Sequence, residues 1–151
     1  MMIIARGMEY AEVLNAVKGR KAAVWTCDTC ARLCDRIGGK DAADRLAYEL
    51  RSDGIDVVSS TSVSAACLIS KICLKMEEIP EEVDIIISLT CDIGVKCAAR
   101  TFKKEILSPL VTLGRGFVEA DGTPVVISAF DEYLTLNEAA KKEKRATGPL
   151  V

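Results

Sequence analysis

The sequence predicts an α/β fold built on a mostly parallel, open sheet. Segments of strand period alternate with segments of helical period along the chain, the pattern that repeated β-α-β connections leave. The run Val83-Asp84-Ile85-Ile86-Ile87-Ser88-Leu89 is nearly continuous in β-branched residues, as a central parallel strand covered on both faces requires. Cysteines fall at the ends of three expected strands, the edge where ligands gather in open α/β sheets. Together these observations predict a three-layer, Rossmann-like or flavodoxin-like arrangement with a cysteine site at the carboxyl edge of the strands.

The elements follow in order. Residues 9–18 place Tyr10, Val13, Leu14 and Val17 at helical spacing, and Gly19 closes that helix. Residues 21–26 form the first expected strand, followed by a cysteine loop and the turn Gly38-Gly39. Asp41 is placed to cap a helix whose apolar face is Ala43, Leu46, Ala47 and Leu50, with Gly54 as its stop. The second strand spans 55–59. A helix over 66–76 turns Ala66, Ile69, Cys73 and Met76 inward and ends before Pro80. The strand over 83–89 is followed by a helix carrying Val95, Ala98, Ala99 and Phe102 on one face. Later strands span 106–113 and 124–128, with Asp121-Gly122 as a turn. The reading gives one domain over residues 1–136, then a charged helix from Asn137 to Arg145 within a tail over 137–151.

Composition narrows the function. The chain has 151 residues, half of them hydrophobic, and a net charge of -2, which suits one globular domain with no electrostatic bias towards nucleic acid or anionic membrane. Aromatic residues make up only 5%, so base-stacking platforms are not expected. No apolar run has the length of a membrane span, and the apolar stretch at Met1–Ala5 is too short for a signal peptide. The expected location is cytoplasmic, where seven cysteines, an odd number, are poor disulfide staples.

The densest chemistry lies in Trp25-Thr26-Cys27-Asp28-Thr29-Cys30-Ala31-Arg32-Leu33-Cys34, a C-x2-C-x3-C triplet directly after a strand. The chain has no histidine, so a fourth ligand to this triplet is expected to be another thiolate, from Cys67 or Cys91 at the next two strand ends. All-thiolate sets favour iron–sulfur clusters or structural zinc. A [4Fe–4S] cluster is the first expectation, because zinc sites usually pair two short C-x-x-C knuckles and only one is present. Zinc is the alternative, and a redox dithiol at Cys27 and Cys30 is a third. Cys73, within an apolar stripe, reads as a small buried hydrophobe.

Other features carry less. Gly38-Gly39 and Gly114-Arg115-Gly116 read as turns rather than phosphate cradles. Glu77, Glu78, Glu81 and Glu82 around Pro80 read as a solvated connector, and Lys141, Lys142, Lys144 and Arg145 as a solvated helix face. Without histidine, Ser-His and Cys-His dyads are excluded, and no general acid–base pair stands out. The chain is not expected to be catalytic alone.

The order of these cysteines resembles the MetV-like family, the cysteine-rich partner subunits or C-terminal regions associated with methylenetetrahydrofolate reductases in anaerobic one-carbon metabolism. That family's pattern has a Gly-Cys-Gly-Thr-Cys-x3-Cys loop, a glycine-led helix, an isolated cysteine and a Ser-Leu-x-Cys-Gly-x-Gly-Val stretch. Here the matching residues are Thr26-Cys27-Asp28-Thr29-Cys30 with Cys34, then Gly38-Gly39, then Cys67, then Ser88-Leu89-Thr90-Cys91-Asp92-Ile93-Gly94-Val95. Residues 109–117 look like the strand and loop that precede the family's second cysteine region. The chain departs at Thr26, Asp28 and Asp92, each standing where the family has glycine, and no cysteine follows Cys97. The resemblance thus covers the N-terminal cluster module, about residues 7–128. It implies an iron–sulfur subunit that passes electrons within a redox complex, partnered by a flavoprotein reductase or another iron–sulfur subunit. The alternative is an interaction module whose zinc or thiol site shapes a docking face.

Overall fold

Residues 2–129 are described by a computed structural model. In chain order they form β1 (Met2–Gly7), α1 (Tyr10–Val17), β2 (Lys21–Cys27), α2 (Cys30–Leu33), α3 (Lys40–Ser52), β3 (Asp56–Val63) and α4 (Ile69–Cys73). A 3-10 turn at Met76–Glu78 leads to β4 (Ile85–Leu89), α5 (Asp92–Phe102), β5 (Glu105–Leu107), β6 (Leu110–Val118) and β7 (Pro124–Ala129). The expected charged helix and tail over 137–151 lie outside the described residues.

The fold is α/β with two sheets. The parallel one has four strands in the order β3-β2-β4-β5. It puts the strand that carries the cysteine loop between the next two, so that their carboxyl ends share one edge. Every residue of β4 is buried, and so is every residue of β2 after Lys21, which explains their apolar continuity. Trp25, fully buried, meets the Phe102 ring edge-on with centroids 5.2 Å apart, tying β2 to α5. Helix α3 packs its Ala43, Ala47 and Leu50 face against β2 and β3.

The second sheet is antiparallel, in the order β1-β6-β7, and the sequence reading did not anticipate it. Its first strand pairs with a distant one, from Met2 opposite Gly116 to Gly7 opposite Leu110. The single strand expected over 106–113 is two. Ser108 and Pro109 separate β5 in the parallel sheet from β6 in the antiparallel one, and Pro109 has no N–H to continue a ladder. Gly114-Arg115-Gly116, read as a turn, lies inside β6. The absent side chains let β7 approach: a Cβ on Gly116 would collide with the Val125 carbonyl oxygen, and one on Gly114 with that of Ser128.

A further correction concerns the helix expected over 66–76. It is only one turn of α4 followed by the 3-10 turn, and its buried residue is Ile72. Ile69, Cys73 and Met76, expected inward, are exposed; Ala66 alone of that stripe is buried. The solvated connector is borne out, with Glu77, Glu78, Glu81 and Glu82 all exposed.

Candidate functional site

Loop anchoring explains how the cysteine triplet is held. Asp28 N–H donates to Val63 O at 2.9 Å, and Thr29 Oγ1 donates to Ser64 O, so the loop after β2 is stitched to the end of β3. Thr26 Oγ1 donates to Leu89 O at 3.0 Å and accepts from Gly39 N–H at 2.7 Å, joining the ends of β2 and β4 to the start of α3. The cap expected from Asp41 comes instead from Asp28, whose Oδ1 accepts from Lys40 N–H at 3.0 Å; Asp41 sits in the first turn. Gly39 precedes that helix at φ 95°, a conformation glycine adopts without cost. Gly38 is buried against Ala31, whose Cβ would stand 2.5 Å from a Cβ at that position.

Five predicted site cysteines separate into three settings. Cys27 closes β2, nearly buried, and its Sγ accepts from Ala66 N–H at 3.5 Å. Cys30 opens α2 and is half-buried. Cys91 precedes α5 and is also half-buried. Burial pushes the Cys91 thiol above its usual range; the Ile93 and Gly94 amides at the start of α5 pull it back, and the charges of Cys30 and Cys27 push it up again. No cap hydrogen bond closes on the Cys91 sulfur. These three residues therefore stand within electrostatic reach of one another at the shared strand edge.

Cys34 faces the other way. It is fully buried beside Ile4 and Leu113 under the antiparallel sheet. Its thiol donates to Ala5 O at 3.2 Å and receives Ala5 N–H at 3.5 Å. Burial raises its ionisation, the Ala5 amide offsets part of this, and the charges of Asp35 and Cys30 add to the rise. Cys67 is exposed, on the segment between β3 and α4. Cys30 thus lies within electrostatic reach of both Cys34 and Cys91.

No family model, curated protein or solved structure matches the chain.

The thiols at the edge, with the Ile93 and Gly94 amides of α5 directed at Cys91, are the donor types that a soft metal centre takes. The thiols are not drawn up around a point: among the described residues no three cysteine, aspartate or glutamate side chains stand close enough to hold a metal ion. Closing a four-sulfur set would require Cys34 to release Ala5. A cavity of about 750 Å³ flanks the loop on its α3 side. Four basic and four acidic side chains line it, a balance that selects no ligand charge. Among the described residues no helix is long and apolar enough to cross a membrane.

Sequence reasoning missed Thr26, Asp28 and Thr112 as the residues that build the edge. Thr112, on β6, accepts from Asp92 N–H at 2.9 Å and so fixes the start of α5 from the second sheet. Their partners lie far along the chain, so local spacing holds no trace of them.

Proposed function

We propose that the chain is a non-catalytic iron–sulfur subunit, with Cys27, Cys30, Cys34 and Cys91 as the thiolates that hold a [4Fe–4S] cluster. What supports the reading is that Cys27 closes β2, Cys30 opens α2 and Cys91 precedes α5, all at the carboxyl edge of the parallel sheet, with Cys34 at the end of the short helix that Cys30 opens. This favours Cys91 over the exposed Cys67 as the partner of the triplet. Such a cluster exchanges single electrons, with a potential set by burial, nearby charge and hydrogen bonds to sulfur. Around it Asp28 and Asp92 would contribute negative charge, and the first turn of α5 would contribute amide donors. The MetV-like resemblance supplies the setting: a cytoplasmic redox complex linked to methylenetetrahydrofolate reductase, with a flavoprotein or second iron–sulfur subunit as partner. The same reading takes the parallel sheet as the centre of a three-layer, flavodoxin-like arrangement, and the order β3-β2-β4-β5 supports it.

A second reading rests on Cys34. Its thiol is hydrogen-bonded into the core, which suits a structural module held by zinc or by free thiols, with Cys34 serving the packing and not a metal. Anaerobic purification with iron, sulfide and zinc analysis separates the two. The iron–sulfur reading expects about four irons and four sulfides per chain, lost in Cys30→Ala and kept in Cys73→Ala. One zinc without iron, or no metal, would replace it with the structural module.

A further inference from the structure

Charges balance in the cavity beside the cysteine loop, but not in a smaller one that adjoins it. This second cavity, of about 250 Å³, lies where the two sheets meet. Its floor is apolar: Val13 of α1, Leu89 at the end of β4, and Pro109 and Leu110 at the entry to β6 are all buried. Met8, Ile37, Ala42 and Leu46 wall it and are only half-buried, so apolar surface stays wet inside a concavity. Tyr10 adds its ring and not its hydroxyl, which donates to Asp53 at 2.6 Å.

The charged groups of this cavity are spread unevenly. Arg36 and Arg45 line both it and the larger cavity, so they stand together at the boundary between the two. Neither guanidinium has an ion pair among the described residues. Glu49 is one turn beyond Arg45 on the same face of α3, on the side of Tyr10. There burial, then Asp53, then Glu49 push the Tyr10 phenol up to about 12, which keeps it neutral. Asp35 and Arg36 take left-handed backbone, at φ 55° and 54°, a conformation unfavourable for residues with a Cβ. Glycine would adopt it without strain, yet the chain carries a guanidinium there. We infer that this cavity binds a small monocarboxylate with an apolar body, its tail on Leu46, Leu89 and Leu110 and its carboxylate against Arg36 and Arg45. Guanidinium forks match a planar carboxylate. At ~30 Å³ per water-sized unit, about 250 Å³ has room for about eight non-hydrogen atoms. The inference goes beyond the iron–sulfur reading and does not rest on it.

Two-dimensional amide NMR of the full chain, titrated with sodium hexanoate, tests it. Saturable shifts at Arg36, Ala42, Leu46 and Leu110 are expected, with a Kd on the order of 1 mM for so small a ligand. Acetate, which lacks the body, and hexylamine, which carries the opposite charge, should each bind at least about tenfold more weakly. Arg45 is exposed, so Arg45→Gln should weaken hexanoate about tenfold with an unchanged circular dichroism spectrum. Arg36→Gly is the sharper variant, because it relieves the backbone while removing the guanidinium. It should hold or raise the urea midpoint while hexanoate affinity falls at least about fivefold. Binding should be equal in metal-loaded and metal-free protein, so failure of the iron–sulfur reading leaves this one standing. Shifts that do not saturate, equal binding of hexylamine, or unchanged affinity in both arginine variants would overturn the inference.

Discussion

Cys34 and Cys91 are both withdrawn from water and both hold their protons beyond the usual thiol range, yet their surroundings give them different work. The Cys34 thiol is engaged at both ends with Ala5, so it joins α2 to β1 across the two sheets. The Cys91 thiol faces the Ile93 and Gly94 amides of α5 and lies within electrostatic reach of Cys30 and Cys27. Burial raises the ionisation of each; the partners decide whether the sulfur is a fastening or a site.

Thiol labelling should separate the pair most strongly. In metal-free protein at neutral pH, iodoacetamide should modify Cys67 and Cys73 first, Cys91 more slowly, and Cys34 last, by roughly a hundredfold or more against Cys73, since it must await local opening. Mass spectrometry of timed samples reads the order, and Cys34 reacting alongside Cys91 would erase the distinction. Stability comes next. Cys34→Ala should cost about 2–3 kcal/mol in urea unfolding, because it empties a fully buried position and removes both links to Ala5. Cys91→Ala should cost about 1 kcal/mol or less, as a helix start that lacks a closed cap loses little. The reverse order would assign the structural role to the wrong cysteine.

A subtler effect should follow at the start of α5. Thr112→Val removes the acceptor for Asp92 N–H and should cost about 1 kcal/mol. It should speed labelling of Cys91 and leave Cys34 unchanged, which peptide-resolved alkylation can read. The smallest effect is on pH dependence. Both thiols have raised folded-state values, so the native protein holds their protons longer than the unfolded chain does. Their contribution is complete below the ordinary thiol range and is lost as pH rises through the folded values. Denaturation of metal-free protein in alkaline buffers should therefore show falling stability, with a shallower decline in Cys34→Ala.

The parallel sheet was legible because its information is local. Each of β2 and β4 carries its own apolar run, and α3 and α5 carry their own periodicity. The antiparallel sheet was not, because Met2-Ile3-Ile4-Ala5 becomes a strand only against β6, and no spacing rule reaches that far. Pro109 was the available signal that the strand over 106–113 divides. The helix expected over 66–76 shrank to Ile69–Cys73, and its face was misjudged because a period shows that an apolar face exists and not which way it turns; Ile72 won the core. Spacing did show that the triplet follows one strand of the parallel sheet and that Cys91 follows another. What spacing could not show was that the last cysteine of one short motif turns to the opposite sheet.

The pairing of β1 with β6 also dictates the sequence of assembly. The strands and helices from Lys21 to Leu107 can complete the parallel sheet among themselves as they are synthesised. Strand β1 is made before them, yet it must wait for Leu110–Val118 before its ladder can close. Contacts so distant along the chain form late and slowly. Until then Ile3 and Ile4 remain unpaired in a growing polypeptide, and Cys34 has no Ala5 to bind. Cys27 is enclosed once the parallel sheet forms, whereas the Cys34 thiol stays open until the last strands arrive.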